Sequence, residues 1–209
     1  MIFQGNPDIN KTAYLNWRTD KHDPINNFVV IADGYSTGAL QLIDDCLENN
    51  VDKKADVLIF PILFSINQAV ELYLKSIQWS LNILLGKDEK FSKGHDIRQL
   101  WQMVNGLVSQ FEVDGERIKQ FNGITKNLDV YIQELYSKID PDGEAKGIKN
   151  IDFSRYPMNN DKQSHFYIIM KENCTVDLVE LKAFWSDISN TLECIAEDYE
   201  EKAMYTEGA

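Results

Sequence analysis

The stretch VLIFPILFSINQAVELYLKSIQW, residues 57 to 79, constrains the fold more than any other part of the chain. From Val57 to Ile66 apolar side chains fall on nearly every face of a helix. A helix that is apolar all round has to be enclosed by others. The pattern predicts a helix over about 55 to 85, as the central and most buried element of its domain. Pro61 falls in the first turns, where a kink is tolerated.

The segments around it carry one apolar stripe each, as partners of a central helix should. Phe28, Val29, Ile31, Ala32, Tyr35, Ala39, Leu42, Ile43, Cys46 and Leu47 recur at three- and four-residue steps and predict a helix over about 26 to 49. Ile97, Leu100, Trp101, Val104, Leu107, Val108 and Phe111 mark a third. Ile118, Phe121, Ile124, Leu128, Ile132, Leu135 and Tyr136 mark a fourth, over 114 to 139. PDGEAKG then breaks the pattern. Residues 151 to 172 alternate around a polar turn and predict an ordered loop or short hairpin. Thr175 is placed to cap a last helix near 176 to 201. The reading is an all-α bundle of five helices over residues 26 to 202, with an irregular arm at 1 to 25 and a flexible tail at 203 to 209.

Composition narrows the function. The net charge of −12 gives no basic face for a broad electrostatic grip on nucleic acid, although a local basic pocket is compatible with it. The apolar runs are shorter than the roughly 18 residues a membrane span needs. The first residues lack the pattern of a secretion signal. Three cysteines, Cys46, Cys174 and Cys194, stand far apart and suit reduced thiols in a cytoplasmic protein. Ligand spacing for a metal, a glycine-rich phosphate loop, HExxH and GxSxG are not found, so no metal and no cofactor is expected. His165 beside Tyr167 is a single imidazole, not a metal site.

Four clusters carry polar chemistry. Glu71 and Lys75 stand four residues apart, in the favourable order for an ion pair, inside the most apolar helix. His95–Asp96 opens the third helix, where a small acid caps backbone N–H groups and a histidine could serve as a base. Arg155 precedes Tyr156 and Pro157, and the proline holds Tyr156 extended. An arginine fixed in this way suits a carboxylate or a phosphate. The candidate catalytic residues are His95 and Arg155. Glu71, Lys75, Asp96 and Tyr156 complete a candidate polar or binding cluster.

These pieces occur in an order that resembles the HEPN superfamily of bacterial helical-bundle proteins. The motifs are A-x-E-x-x-L-K at Ala69, Glu71, Leu74 and Lys75, then G-H-D-I-x-x-L from Gly94 to Leu100, then F-x-R-Y-P from Phe153 to Pro157. The likeness covers about residues 27 to 200. It implies a bundle of four or five helices, a homodimer, and a place in a defence or toxin–antitoxin system. Catalytic members cleave RNA with an arginine and a later histidine separated by four to six intervening residues. This chain lacks that spacing: three residues separate Arg18 from His22, and nine separate Arg155 from His165.

The expected function is therefore macromolecular binding by a HEPN-like protein, with RNA or a protein toxin or antitoxin as partner and no membrane. One alternative is a metal-independent ribonuclease with a rearranged His95/Arg155 site. Another is an acidic immunity or antitoxin protein that neutralises a basic toxin through Asp187, Glu193, Glu197, Asp198, Glu200 and Glu201.

Overall fold

The computed structural model describes residues 2–139, 152–159 and 161–207. The PDGEAKG break lies outside the described residues, as does the first residue of the expected loop or hairpin. Among the described residues there are seven α-helical segments and no strand, so the class is all-α with more pieces than the five expected.

Helix α1 spans Pro24–Glu48. Asp23 caps it by accepting the Asn26 N–H at 3.1 Å, and Pro24 sits in the first turn, where it has no N–H to leave unpaired. Ile25, Val29, Ala32, Ser36, Ala39, Ile43 and Cys46 form its buried stripe. Helix α2 spans Ala55–Leu84 and tolerates Pro61 in its second turn. It stops at Gly86, whose φ of 64° lies in the left-handed region that glycine enters without strain; the Gly86 and Lys87 N–H groups return to the carbonyls of Ile83 and Asn82. Helix α3, Ile97–Phe111, is capped by Asp96 and buries the stripe read from the sequence.

The expected single helix over 114 to 139 is two, α4 Gly115–Ile124 and α5 Lys126–Ile139. The break is at Thr125, whose hydroxyl donates to the Phe121 carbonyl at 2.7 Å. Such back-bonding competes with the helical ladder and bends it. Of the ordered loop or short hairpin expected over 151 to 172, the described residues show the loop. A 3-10 turn at Asp152–Ser154, a lone antiparallel bridge between Met158 and Ser164, and the one-turn helix α6, Phe166–Ile169, make an ordered loop. Phe153 is buried in it, and Tyr167 donates to the Phe153 carbonyl at 3.2 Å. Helix α7 spans Leu178–Glu207. Its cap is Asp177, which accepts from Val179 and Glu180, and not Thr175. The helix also runs past residue 202 into the expected tail, with Ala203 buried.

Helices α1, α3 and α7 all pack on α2, and α1 and α7 on each other. Tyr73, Leu74, Ile77 and Leu81 of α2 are fully enclosed with Ile43, Ile97, Trp185 and Ile188. Each such side chain contributes about 1.5–3 kcal/mol by leaving water. The most buried part of α2 is not its most apolar part. Val57 is 71% exposed and Phe60 and Phe64 are half-buried, whereas the helix is enclosed from Ile66 to Asn82. The connection to α3 and the start of α3 cover α2 from Glu71 onward. By length and composition α2 also reaches what a membrane crossing requires, which the shorter apolar runs of the sequence did not suggest; 44% of that window is buried inside the protein. All three cysteines are free thiols, with Cys46 buried.

Candidate functional site

Asn67, Glu71, Lys75, Gln78 and Asn82 recur along α2 at four, four, three and four residues, so they share one face. All five are buried. Burial of so many polar groups is costly unless each is paired. The connection from α2 to α3 supplies partners by folding back along the stripe. Asn82 Nδ2 donates to the Lys90 carbonyl at 3.2 Å, and the Ser92 N–H donates to Gln78 Oε1 at 3.0 Å. His95 Nδ1 lies 2.9 Å from Glu71 Oε1. Lys75 Nζ donates to the same oxygen at 2.7 Å. The Lys75 ammonium also lies 5.7 Å from the Phe91 ring, which packs edge-on against Phe28 and beside Trp79. The loop is thus zipped to α2 by alternating polar and aromatic contacts.

Glu71 and Lys75 are 5% and 6% exposed, so the ion pair is internal and not a solvated edge. The His95 side chain is 64% exposed. Its contact with Glu71 orients the ring through Nδ1 and leaves Nε2 facing outward, the arrangement of a base held by a carboxylate.

Arg155 arrives from the loop after α5. Its guanidinium lies 5.7 Å from the Phe64 ring and 5.2 Å from Tyr156. Its closest carboxylate, Asp152, is at 3.6 Å and the Tyr156 hydroxyl is at 3.5 Å. Both are at or beyond the limit of a hydrogen bond. Phe64, Asn67, Gln68, Glu71, His95, Asp152 and Arg155 line one cleft, with a cavity volume of about 40 Å³. Four of the six residues singled out in the sequence therefore meet here: Glu71, His95 and Arg155 in the cleft wall, and Lys75 behind Glu71.

The other two do not. Asp96 turns away, accepting the Gln99 N–H at 3.1 Å and the Tyr136 hydroxyl at 2.6 Å. Burial and the Asp96 carboxylate push the Tyr136 phenol well above its usual range, so it remains a donor, and Arg98 lies over its ring at 4.3 Å. Asp96 is a helix cap tied to α5. Tyr156 is exposed and does not line the cleft; its hydroxyl lies 3.5 Å from Arg155. His165 lies outside the cleft, its ring stacked beside Tyr167, and burial pulls its pKa down.

Asn67 had not been singled out in the sequence. Its Oδ1 accepts the Tyr131 hydroxyl of α5 at 2.7 Å, and Nδ2 is buried without a partner among the described residues. The signal was present: Asn67 stands one turn before Glu71 and two before Lys75, a polar stripe in an apolar helix. Gln68 and Asp152 carried no comparable signal.

The acids of the last helix do not form one free surface. Asp187 accepts from Asn127 at 2.8 Å, and Asp198 from Lys202 at 2.6 Å. Glu200 is buried. Burial and then the nearby Asp23 carboxyl push Glu200 up to about 7. Glu193 is likewise raised, by burial first and by Asp33 and Glu197 next. Among the described residues no group of three or more His, Cys, Asp or Glu is placed to hold a metal ion.

Comparison with protein-family models, curated proteins and solved structures finds no match to this chain.

Proposed function

We propose that this chain is a HEPN-like protein of a bacterial defence or toxin–antitoxin type system, and that it works in the cytoplasm as a homodimer by binding RNA. The observation that carries the reading is the cleft in which Glu71, His95 and Arg155 meet from two distant parts of the chain. A purely structural zipper would end in the interior. This one ends at an exposed imidazole beside an underused guanidinium, the pair of groups that binds the ribose-phosphate backbone. The acidic body around it limits non-specific attraction, so binding rests on the local groups rather than on net charge.

The test is titration of labelled single-stranded RNA with the wild type and with a His95→Ala/Arg155→Ala variant of matched unfolding midpoint. The reading expects saturable binding that the variant loses. Equal binding by both, or none by either, overturns it.

The Glu71–His95 contact favours a second reading, the metal-independent ribonuclease. Here His95 Nε2 would take the proton of a ribose 2′-hydroxyl while Arg155 stabilised charge on the phosphate. Fragments ending in a 2′,3′-cyclic phosphate, from the wild type and not from the variant, would put this reading in place of simple binding.

A further inference from the structure

The structure assigns the cleft between α2, the start of α3 and the Asp152–Arg155 turn as a site for a single phosphoryl group, with the buried Asn67 carboxamide as one of its donors. This deepens the reading above by naming the chemical group bound, and it brings in a residue that reading does not use.

The argument starts from unspent hydrogen-bonding capacity. A polar side chain enclosed by protein is nearly always paired, and an unpaired one calls for an explanation. Along the polar stripe of α2, Asn82, Gln78, Lys75 and Glu71 all have partners. Asn67 is the next position, 3% exposed, and it is half-satisfied: Tyr131 holds Oδ1 at 2.7 Å, and Nδ2 has no partner among the described residues. The Tyr131 phenol is enclosed, which raises its pKa and keeps the proton it donates. That bond fixes the carboxamide with its carbonyl toward α5, leaving the NH2 as the spare end.

Arg155 is underused in the same way. A guanidinium presents five N–H donors, and among the described residues this one has polar contacts at 3.5 and 3.6 Å only. Arg155 and Asn67 thus bring weakly engaged donors to one cleft, while Glu71 Oε1 in its wall is taken by Lys75 and His95. The complement to converging spare donors is a compact group with several acceptor oxygens. The cleft is small, with a cavity volume of about 40 Å³, and suits a compact group. Two carboxylates line the cleft, Glu71, whose charge Lys75 balances, and Asp152. Asp152 sits on the same turn as Arg155, so a phosphate that drew the guanidinium forward would take over the role Asp152 now fills at long range.

Inorganic phosphate is titrated into the 15N-labelled full chain, and the side-chain NH2 resonances of Asn67 are followed. The proposal expects these resonances to move on saturation, and Arg155→Gln to weaken binding about tenfold or more, the scale of one lost charge-assisted contact. Tyr131→Phe, which frees the carboxamide without touching the cleft wall, should also weaken binding while circular dichroism stays unchanged. Silent Asn67 resonances at saturation, or full affinity in Arg155→Gln, overturn the proposal.

A dinucleoside monophosphate supplies the second arm. Affinity well above that of inorganic phosphate assigns the site to an RNA diester, and equal or lower affinity assigns it to free phosphate. RNA binding with Asn67 and Arg155 unaffected removes this proposal and leaves the RNA reading standing. Phosphate binding without RNA binding does the reverse.

Discussion

The Glu71–Lys75 pair makes an asymmetric prediction. Both side chains are 7% exposed and share a 2.7 Å bond, but their other contacts differ. Glu71 Oε1 has a second partner in His95, while Lys75 has Glu71 alone plus the distant Phe91 ring. Removing one member of a buried pair costs about 3–5 kcal/mol because the other charge is left stranded. Glu71→Leu strands Lys75 and should cost that full amount. Lys75→Met leaves Glu71 its contact with His95 and should cost less, about 1–3 kcal/mol. The double variant removes both charges from the interior and loses only an exposed histidine contact, so it should lie within about 1 kcal/mol of wild type. At about 2–4 °C per kcal/mol for a chain of this size, Glu71→Leu should melt roughly 6–20 °C below wild type. Urea unfolding followed by circular dichroism at 222 nm measures all four species. A Lys75→Met cost equal to or above that of Glu71→Leu would refute the account of His95 as a second partner. Additive costs in the double variant would refute the pair as a coupled unit.

Two further outcomes follow from the same geometry. Glu200 is held near 7 in the folded chain, above the usual carboxyl value of 4.5. Over that interval the folded state keeps a proton the unfolded state has lost, so stability falls as pH rises from about 4.5 to 7. Glu200→Gln should therefore leave stability at pH 5 nearly unchanged and raise it at pH 8 by about 1–3 kcal/mol, measured by urea midpoints at the two pH values; an equal effect at both would count against the burial of this carboxyl. Asp96→Ala should cost about 1–2 kcal/mol, from the lost α3 cap and the lost Tyr136 bond, and leave RNA binding by the folded protein intact. A selective loss of RNA binding with unchanged stability would return Asp96 to the cleft.

Local signals were legible in the chain. Most of the stripes of α1 and α3 is buried as read, because a helix of 3.6 residues per turn imposes its period wherever one face is buried; Ile31 and Leu47 of α1 are exposed, off that face, and Phe111 of α3 is half-buried. Asp96 as a cap was equally local. The pattern of apolar positions misleads where a single side chain interrupts the backbone ladder. A single helix over 114 to 139 was a fair reading of its apolar stripe, and the bond from Thr125 to the Phe121 carbonyl divides it. The alternating segment before α7 reads as an ordered loop or a short hairpin, and the contacts of Phe153 and Tyr167 with each other and of Tyr167 with Phe60 of α2 go with the loop.

By itself the sequence determined that α2 would be central, and that Glu71, Lys75, His95 and Arg155 were the groups to account for. It could not say which of its polar residues share an environment. His95 lies 24 positions from Glu71, and Tyr131 lies 64 positions from Asn67. Such pairs are made by the packing of α3, α5 and the Arg155 turn against α2, and no periodicity encodes them. The tertiary structure decided that the interior of α2 is its polar stripe and not its most apolar run. The reason is where its neighbours lie. The connecting loop and α3 cover the helix from Glu71 onward, so polar groups there are enclosed and paired, while Val57 remains in water.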